Sequence, residues 1–185
     1  MPDQLILSMS RKLSKSEPRP AGVKFASVAV ILRGVVPQTL LIKRAEKEGD
    51  PWSGQVAFPG GKMQSGDRTV RDTAVRETRE EVGFNLSESA RFLGYLGLFR
   101  THTGNMDVVP SVFALEKDVE VTLNGEVSSC RWVDFDLLAN PQARGAHRIT
   151  RDGVPLDMPA IIIGQYVVWG LTYRIIQLIV EKSTQ

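Results

Sequence analysis

The chain lacks most of what covalent or charge-driven function is built from. Its 185 residues include one cysteine, Cys130, so an internal disulfide is excluded. With only His102 and His147 beside it, a zinc-type Cys/His cluster is excluded too. Cys130 reads as a small apolar filler in a strand rather than a nucleophile, since no histidine lies near it in sequence. The net charge of +2 is too small to argue for nucleic acid as a partner. Residues 1–21 lack the charged-then-apolar order of a signal peptide, which makes the cytoplasm the expected location. The most apolar stretch, residues 159–180, is interrupted by Gln165, Arg174 and Gln177, so no membrane partner is expected.

What remains is an ordinary globular composition, 42% hydrophobic and 24% charged, at a length that suits one domain with a sizeable core. Residues 1–21 read as an N-terminal extension, with a short helix over 4–13 and a proline-containing linker over 14–20. Residues 22–185 read as the domain. Val-, Ala- and Ile-rich runs predict strands over 24–32, 39–43 and 55–58, then one or two over 90–100, and others over 106–115 and 129–135. A short helix follows at 137–139. Residues 159–180 read as a short strand and a core-packing helix striped by Val167, Leu171, Ile175, Leu178 and Ile179. The order predicts an α+β class with helices packed on a mixed sheet.

The chemistry concentrates between Gly54 and Phe84. Glu77, Glu80 and Glu81 put three carboxylates within five residues of Arg76-Glu77-Thr78-Arg79-Glu80-Glu81-Val82-Gly83. Residues 69–82 contain no Pro or Gly, have an N-cap at Thr69 or Asp67, and meet Gly83 as the residue after the helix. At about 100° per residue, Val70, Ala74, Val75, Thr78 and Val82 form an apolar arc. The three glutamates share the neighbouring face, where like charges destabilise a helix unless a cation offsets them. Clustered carboxylate oxygens suit a hard divalent ion, above all Mg²⁺. The alternative is a solvated acidic face with an Arg76–Glu80 pair, which is common on surface helices. Just upstream, Phe58-Pro59-Gly60-Gly61 makes a tight loop whose glycines let main chain approach a ligand.

A Gly-Gly turn followed by this helix resembles the signature of the Nudix hydrolases. That pattern runs Gly, five residues, Glu, seven residues, then Arg-Glu-aliphatic-any-Glu-Glu-any-Gly-aliphatic. Arg76, Glu77, Glu80, Glu81 and Gly83 match it, with Gly61 leading. Asp67 stands at the first Glu, eight residues precede Arg76, and Thr78 and Phe84 replace aliphatic positions. The insertion with Thr73-Ala74 is similar to the coenzyme A pyrophosphatase-like branch. So are Leu40-Leu41 with Arg44-Ala45, Gly54 with the Phe58 turn, Thr103-Gly104, and Val168-Trp169-Gly170-Leu171-Thr172. Between Arg44 and Gly54, where that branch expects a second basic residue, the chain has Lys47 and no arginine.

The resemblance implies an α/β/α sandwich, and Mg²⁺, with Mn²⁺ as a substitute, held by the Gly61 carbonyl, Glu77, Glu80 and Glu81. It implies Arg76 as the residue orienting the glutamates, and Glu77 or Glu126 as the base. Arg44 is the foremost phosphate-binding candidate, with Lys62 and Phe58 as further substrate-binding candidates. His102 reads either as a substrate contact or as a solvated loop residue. The implied reaction is hydrolysis of a diphosphate in a small nucleotide-type substrate, coenzyme A-like in the narrower resemblance. Hydrolysis of ADP-ribose or nucleoside triphosphates, and ligand sensing without hydrolysis, are the alternatives. A homodimer is the oligomeric state kept open.

Overall fold

A computed structural model describes residues 4–18, 24–50, 52–102, 104–151 and 153–184. The elements run α1 (Gln4–Lys12), β1 (Lys24–Arg33), β2 (Gln38–Arg44), β3 (Val56–Ala57), β4 (Gly60–Lys62), α2 (Val70–Val82), α3 (Leu86–Ser89), β5 (Ala90–Tyr95), β6 (Phe99–Arg100) and β7 (Met106–Leu115). They continue with β8 (Val127–Asp134), α4 (Phe135–Ala139), β9 (Arg144–Arg151), β10 (Val154–Ile163), β11 (Tyr166–Trp169) and α5 (Gly170–Thr184). Pro51, Thr103 of the Thr103-Gly104 pair and residues 19–20 of the expected linker lie outside the described residues.

The main sheet follows the order β3-β2-β1-β7-β5, with β8 added to β2, β4 to β1 and β6 to β7. It is mixed: β1 runs parallel to β7 and antiparallel to β2 and β4. Alternation along β1 shows why both faces are covered. Ala29 and Ile31 point to the side of α2, where they meet Ala74 and Val82. Val30 and Leu32 point to the other side, into a core shared with Met9 of α1 and Ile175, Ile176 and Ile179 of α5. A strand buried on both faces reads as an unbroken apolar run, as 28–32 does. Each fully buried aliphatic side chain contributes roughly 1.5–3 kcal/mol. The architecture is the α/β/α sandwich on a mixed sheet that the resemblance implies.

One region differs from expectation. Strands β9, β10 and β11 form a separate antiparallel sheet, where the sequence predicts only a short strand. Val167, assigned above to the helical stripe, lies in β11, and the terminal helix starts at Gly170. Ile161, Ile163, Tyr166 and Val168 enter the core with Ile162 and Val167 facing away, a period of two broken by a turn at Gly164, whose φ is 61°. At the other end, Ile6, Met9 and Leu13 are buried in the main core, and Ser14 exchanges backbone hydrogen bonds with Tyr95 at 2.8 and 3.1 Å. Among the described residues, no helix is long and apolar enough to cross a membrane.

Candidate active site

The strand–loop–helix from β3 to α2 places the carboxylates. β4 is antiparallel to β1, with Gly60 opposite Val28 and Gly61 opposite Ser27. After a turn at 64–67 the chain enters α2 through a reciprocal cap. The Asp72 amide donates to Thr69 Oγ1 at 3.1 Å, and the Thr69 amide donates to Asp72 Oδ2 at 3.0 Å. Glu17, from the segment before β1, accepts from the Val70 amide at 2.7 Å. At the far end Gly83 takes φ 85° and its amide donates to the Arg79 carbonyl, a left-handed stop that glycine suits. Of the expected arc α2 buries Val70, Ala74, Thr78 and Val82 and leaves Val75 half-buried, and it buries Thr73 and Glu81 with them.

Arg76 is the hub of the outer part of the site. Its Nε and Nη2 donate to the two oxygens of Asp67 at 3.1 and 3.0 Å. Nη1 donates to Glu77 Oε1 at 2.8 Å and Glu80 Oε2 at 3.1 Å, and Nη2 also donates to the Lys62 carbonyl at 3.0 Å. Asp67, which replaces the signature's first Glu, thus fixes the arginine that holds two of the glutamates. Hydrogen bonds from Arg76, with others from Gln64 and Thr73, hold the Asp67 carboxyl below its usual range despite burial. The Arg76–Glu80 pair of the surface-helix alternative is present, but as one strand of this network.

The inner part is different. Glu81 is only 2% exposed. Burial pushes its carboxyl up to about 7, aided by the charges of Glu77 and Glu126 and opposed by the Gly60 amide, which donates to Oε2 at 2.9 Å, and by Arg44. Burial also raises Glu77, against the hydrogen bond and charge of Arg76, with Glu80 and Glu126 adding to the rise. Its carboxylate lies against Gly61, where a Cβ would come within 2.4 Å of Oε1.

Arg44 leaves β2 beside Glu81, with Nη1 4.0 Å from Glu81 Oε1. Asp50 steadies it, accepting from Nη2 at 3.0 Å, while its buried Nε has no partner among the described residues. The exposed Glu126 sits on the loop before β8, where its carbonyl accepts from the Ala45 amide at 2.8 Å. Lys62 is exposed on β4. The exposed His102 makes its contact with Arg151, on the second sheet. Phe58 requires correction: at 2% exposed it belongs to the core, because strand alternation sends it inward with Val56.

The expected ligand set is only partly drawn together. Glu77 and Glu81 face inward beside Gly60 and Gly61, whereas the Glu80 side chain is 52% exposed on Arg76. Among the described residues, no three His, Cys, Asp or Glu side chains converge closely enough to hold a metal ion as they stand. The donor chemistry nevertheless fits a hard cation. Inward carboxylates raised by burial and by one another's charge, beside a glycine whose missing Cβ makes room for one of them, are what such an ion offsets.

Sequence reasoning missed Asp50 and Glu17. An Asp donated to by the amide two residues on, as Asp50 is by Trp52, is a legible local signal. The Glu17 cap spans 53 residues and has no local signal.

Comparison with known proteins settles the family. Residues 23–152 match the NUDIX domain. The chain belongs to the Nudix family. It is 31% identical over 160 residues to the human mitochondrial coenzyme A diphosphatase NUDT8, covering 83% of this chain and 66% of that one. It is 42% identical over 82 residues to the Caenorhabditis elegans peroxisomal coenzyme A diphosphatase ndx-8, covering 43% of this chain. The matched stretch spans 35% of the worm protein's length, and 35% of an uncharacterized Schizosaccharomyces pombe relative. A MutT/nudix family protein from Enterococcus faecalis shares the fold, with a TM-score of 0.59 at 17% identity over 92% of this chain and 65% of that one.

Proposed function

We propose that this Nudix chain hydrolyses the diphosphate bond of a coenzyme A-like nucleoside diphosphate derivative in a Mg²⁺-dependent reaction. The observation that carries the reading is the pairing of a fixed outer network, Asp67–Arg76–Glu77/Glu80, with the buried and raised Glu81. A protein that only bound nucleotides would have no use for so costly a carboxylate cluster. The coenzyme A diphosphatases among its relatives support the narrower substrate.

Glu77, Glu80, Glu81 and the Gly61 carbonyl would hold Mg²⁺, or Mn²⁺ in its place. Bound there, the ion supplies neutralisation of diphosphate oxygens and a more acidic water. Arg76 keeps Glu77 and Glu80 oriented through charge-assisted hydrogen bonds. Arg44, with a buried Nε still to be satisfied, offers its guanidinium to the substrate's phosphates. Glu77 or Glu126 accepts the proton of the attacking water. Both carboxylates lie close enough to Glu81 to raise it, so both are within the site's field.

The test is a product assay with Mg²⁺ presenting coenzyme A, ADP-ribose, NADH and nucleoside triphosphates in parallel, with Glu81→Gln as control. Preferred cleavage of coenzyme A, lost in the folded variant, is the expected result. Preference for ADP-ribose or a triphosphate would reduce the coenzyme A likeness to one of structure. Tight binding without hydrolysis would make the protein a sensor, and full activity of Glu81→Gln would remove the metal-site assignment.

A further inference from the structure

Trp52 is a large aromatic left outside the core, 44% exposed at the end of the loop between β2 and β3. The other two tryptophans are half-buried and occupied: Arg33 lies 3.8 Å from the Trp132 ring centroid, and Trp169 packs on His147 at 4.9 Å. The loop nonetheless fixes Trp52 in place. Its amide donates to Asp50 Oδ1 at 3.0 Å, and its carbonyl accepts from the Gln55 amide at 3.2 Å. The other Asp50 oxygen accepts from Arg44, which reaches toward Glu81. From β4, the Lys62 ammonium stands 5.9 Å from the Trp52 ring centroid, and the Lys62 carbonyl accepts from Arg76.

The exposed ring is therefore tied to both sides of the carboxylate site, through Asp50 to Arg44 and through Lys62 to Arg76. Arg44 and Lys62 are the two cations expected to meet the substrate. An indole left in water forgoes the burial that large aromatics supply elsewhere. A second aromatic ring laid on it recovers that burial, and the Lys62 ammonium over the ring is attracted by its π-face. A nucleoside diphosphate presents such a ring joined to phosphates. Resting on the reading above, we propose that Trp52 is the stacking platform for the substrate's nucleobase, with Arg44 and Lys62 receiving the attached phosphates.

The experiment measures binding of ADP and of inorganic pyrophosphate, each with Mg²⁺, to the full chain by calorimetry. Wild type, Trp52→Ala and Trp52→Phe are compared. Wild type should bind both probes. Trp52→Ala should weaken ADP on the order of tenfold while leaving pyrophosphate within about twofold. Trp52→Phe should keep most of the ADP affinity but lose the quench of tryptophan fluorescence that ADP produces in wild type. Equal weakening of both probes, or unchanged ADP binding in Trp52→Ala, overturns the platform and leaves the hydrolase reading intact. Wild type that binds neither probe overturns the functional reading, and the platform with it.

Discussion

Strand β4 lies between two neighbours, and the two glycines that open it answer to different ones. Gly60 faces β1. A Cβ there would meet the Ser27 carbonyl oxygen at 2.4 Å and Val28 Cα at 2.6 Å, both main chain. Gly61 faces α2, where a Cβ would meet Glu77 Oε1 at 2.4 Å, the far end of a flexible side chain. Relief at position 60 requires β4 to move off β1. Relief at 61 requires only that Glu77 swing away. Adjacent residues of one type thus serve the fold in one case and the chemistry in the other.

The largest effect should come from the β1 side. Gly60→Ala should lose about 3 kcal/mol or more of unfolding free energy in urea, as overpacking against main chain does. Gly61→Ala should change stability by less than about 1 kcal/mol yet lower turnover about a hundredfold, as displacement of a site carboxylate implies. Equal stability losses in the two variants would erase the distinction.

The raised Glu81, whose backbone partner is the Gly60 amide, sharpens the comparison through pH. A carboxyl raised from 4.5 to about 7 favours the folded state when protonated. Its contribution is complete below about 4.5 and is lost as pH climbs to about 7. In chelator, the stability of wild type minus that of Glu81→Gln should therefore fall by about 3 kcal/mol across that window. A difference that stays flat with pH would contradict the burial argument. The smallest effect concerns the start of α2: Thr69→Ala removes one half of the reciprocal cap and should cost about 1 kcal/mol in thermal unfolding.

The parts of the molecule legible in the sequence are those written in local pattern. The helix with its Gly83 stop and a cap at Thr69, one of the two candidates, and the unbroken apolar strands follow from spacing and residue type, whereas Gly60 and Gly61, expected in a tight loop, open strand β4 instead. The glutamates' shared face was legible as well, but not their division. Whether Glu81 is buried and Glu80 exposed depends on which side of the helix meets β4, a tertiary matter. Phe58, a substrate-binding candidate in the sequence, goes into the core because the strand's alternation sends it inward with Val56. The second sheet left little signal, since β9 and the first half of β10 are half-exposed or exposed throughout and carry no core-facing periodicity. Glu17 acts across 53 residues, a closure that no local pattern records.

The proposed function rests on the buried Glu81 carboxylate as a ligand of a divalent cation. The most direct test follows thermal unfolding of wild type and Glu81→Gln as Mg²⁺ is titrated into chelator-treated protein. Ligand that binds only the folded state raises the midpoint. A concentration-dependent rise is expected for wild type, and little or none for Glu81→Gln. Equal rises in both proteins would contradict Glu81 as a ligand.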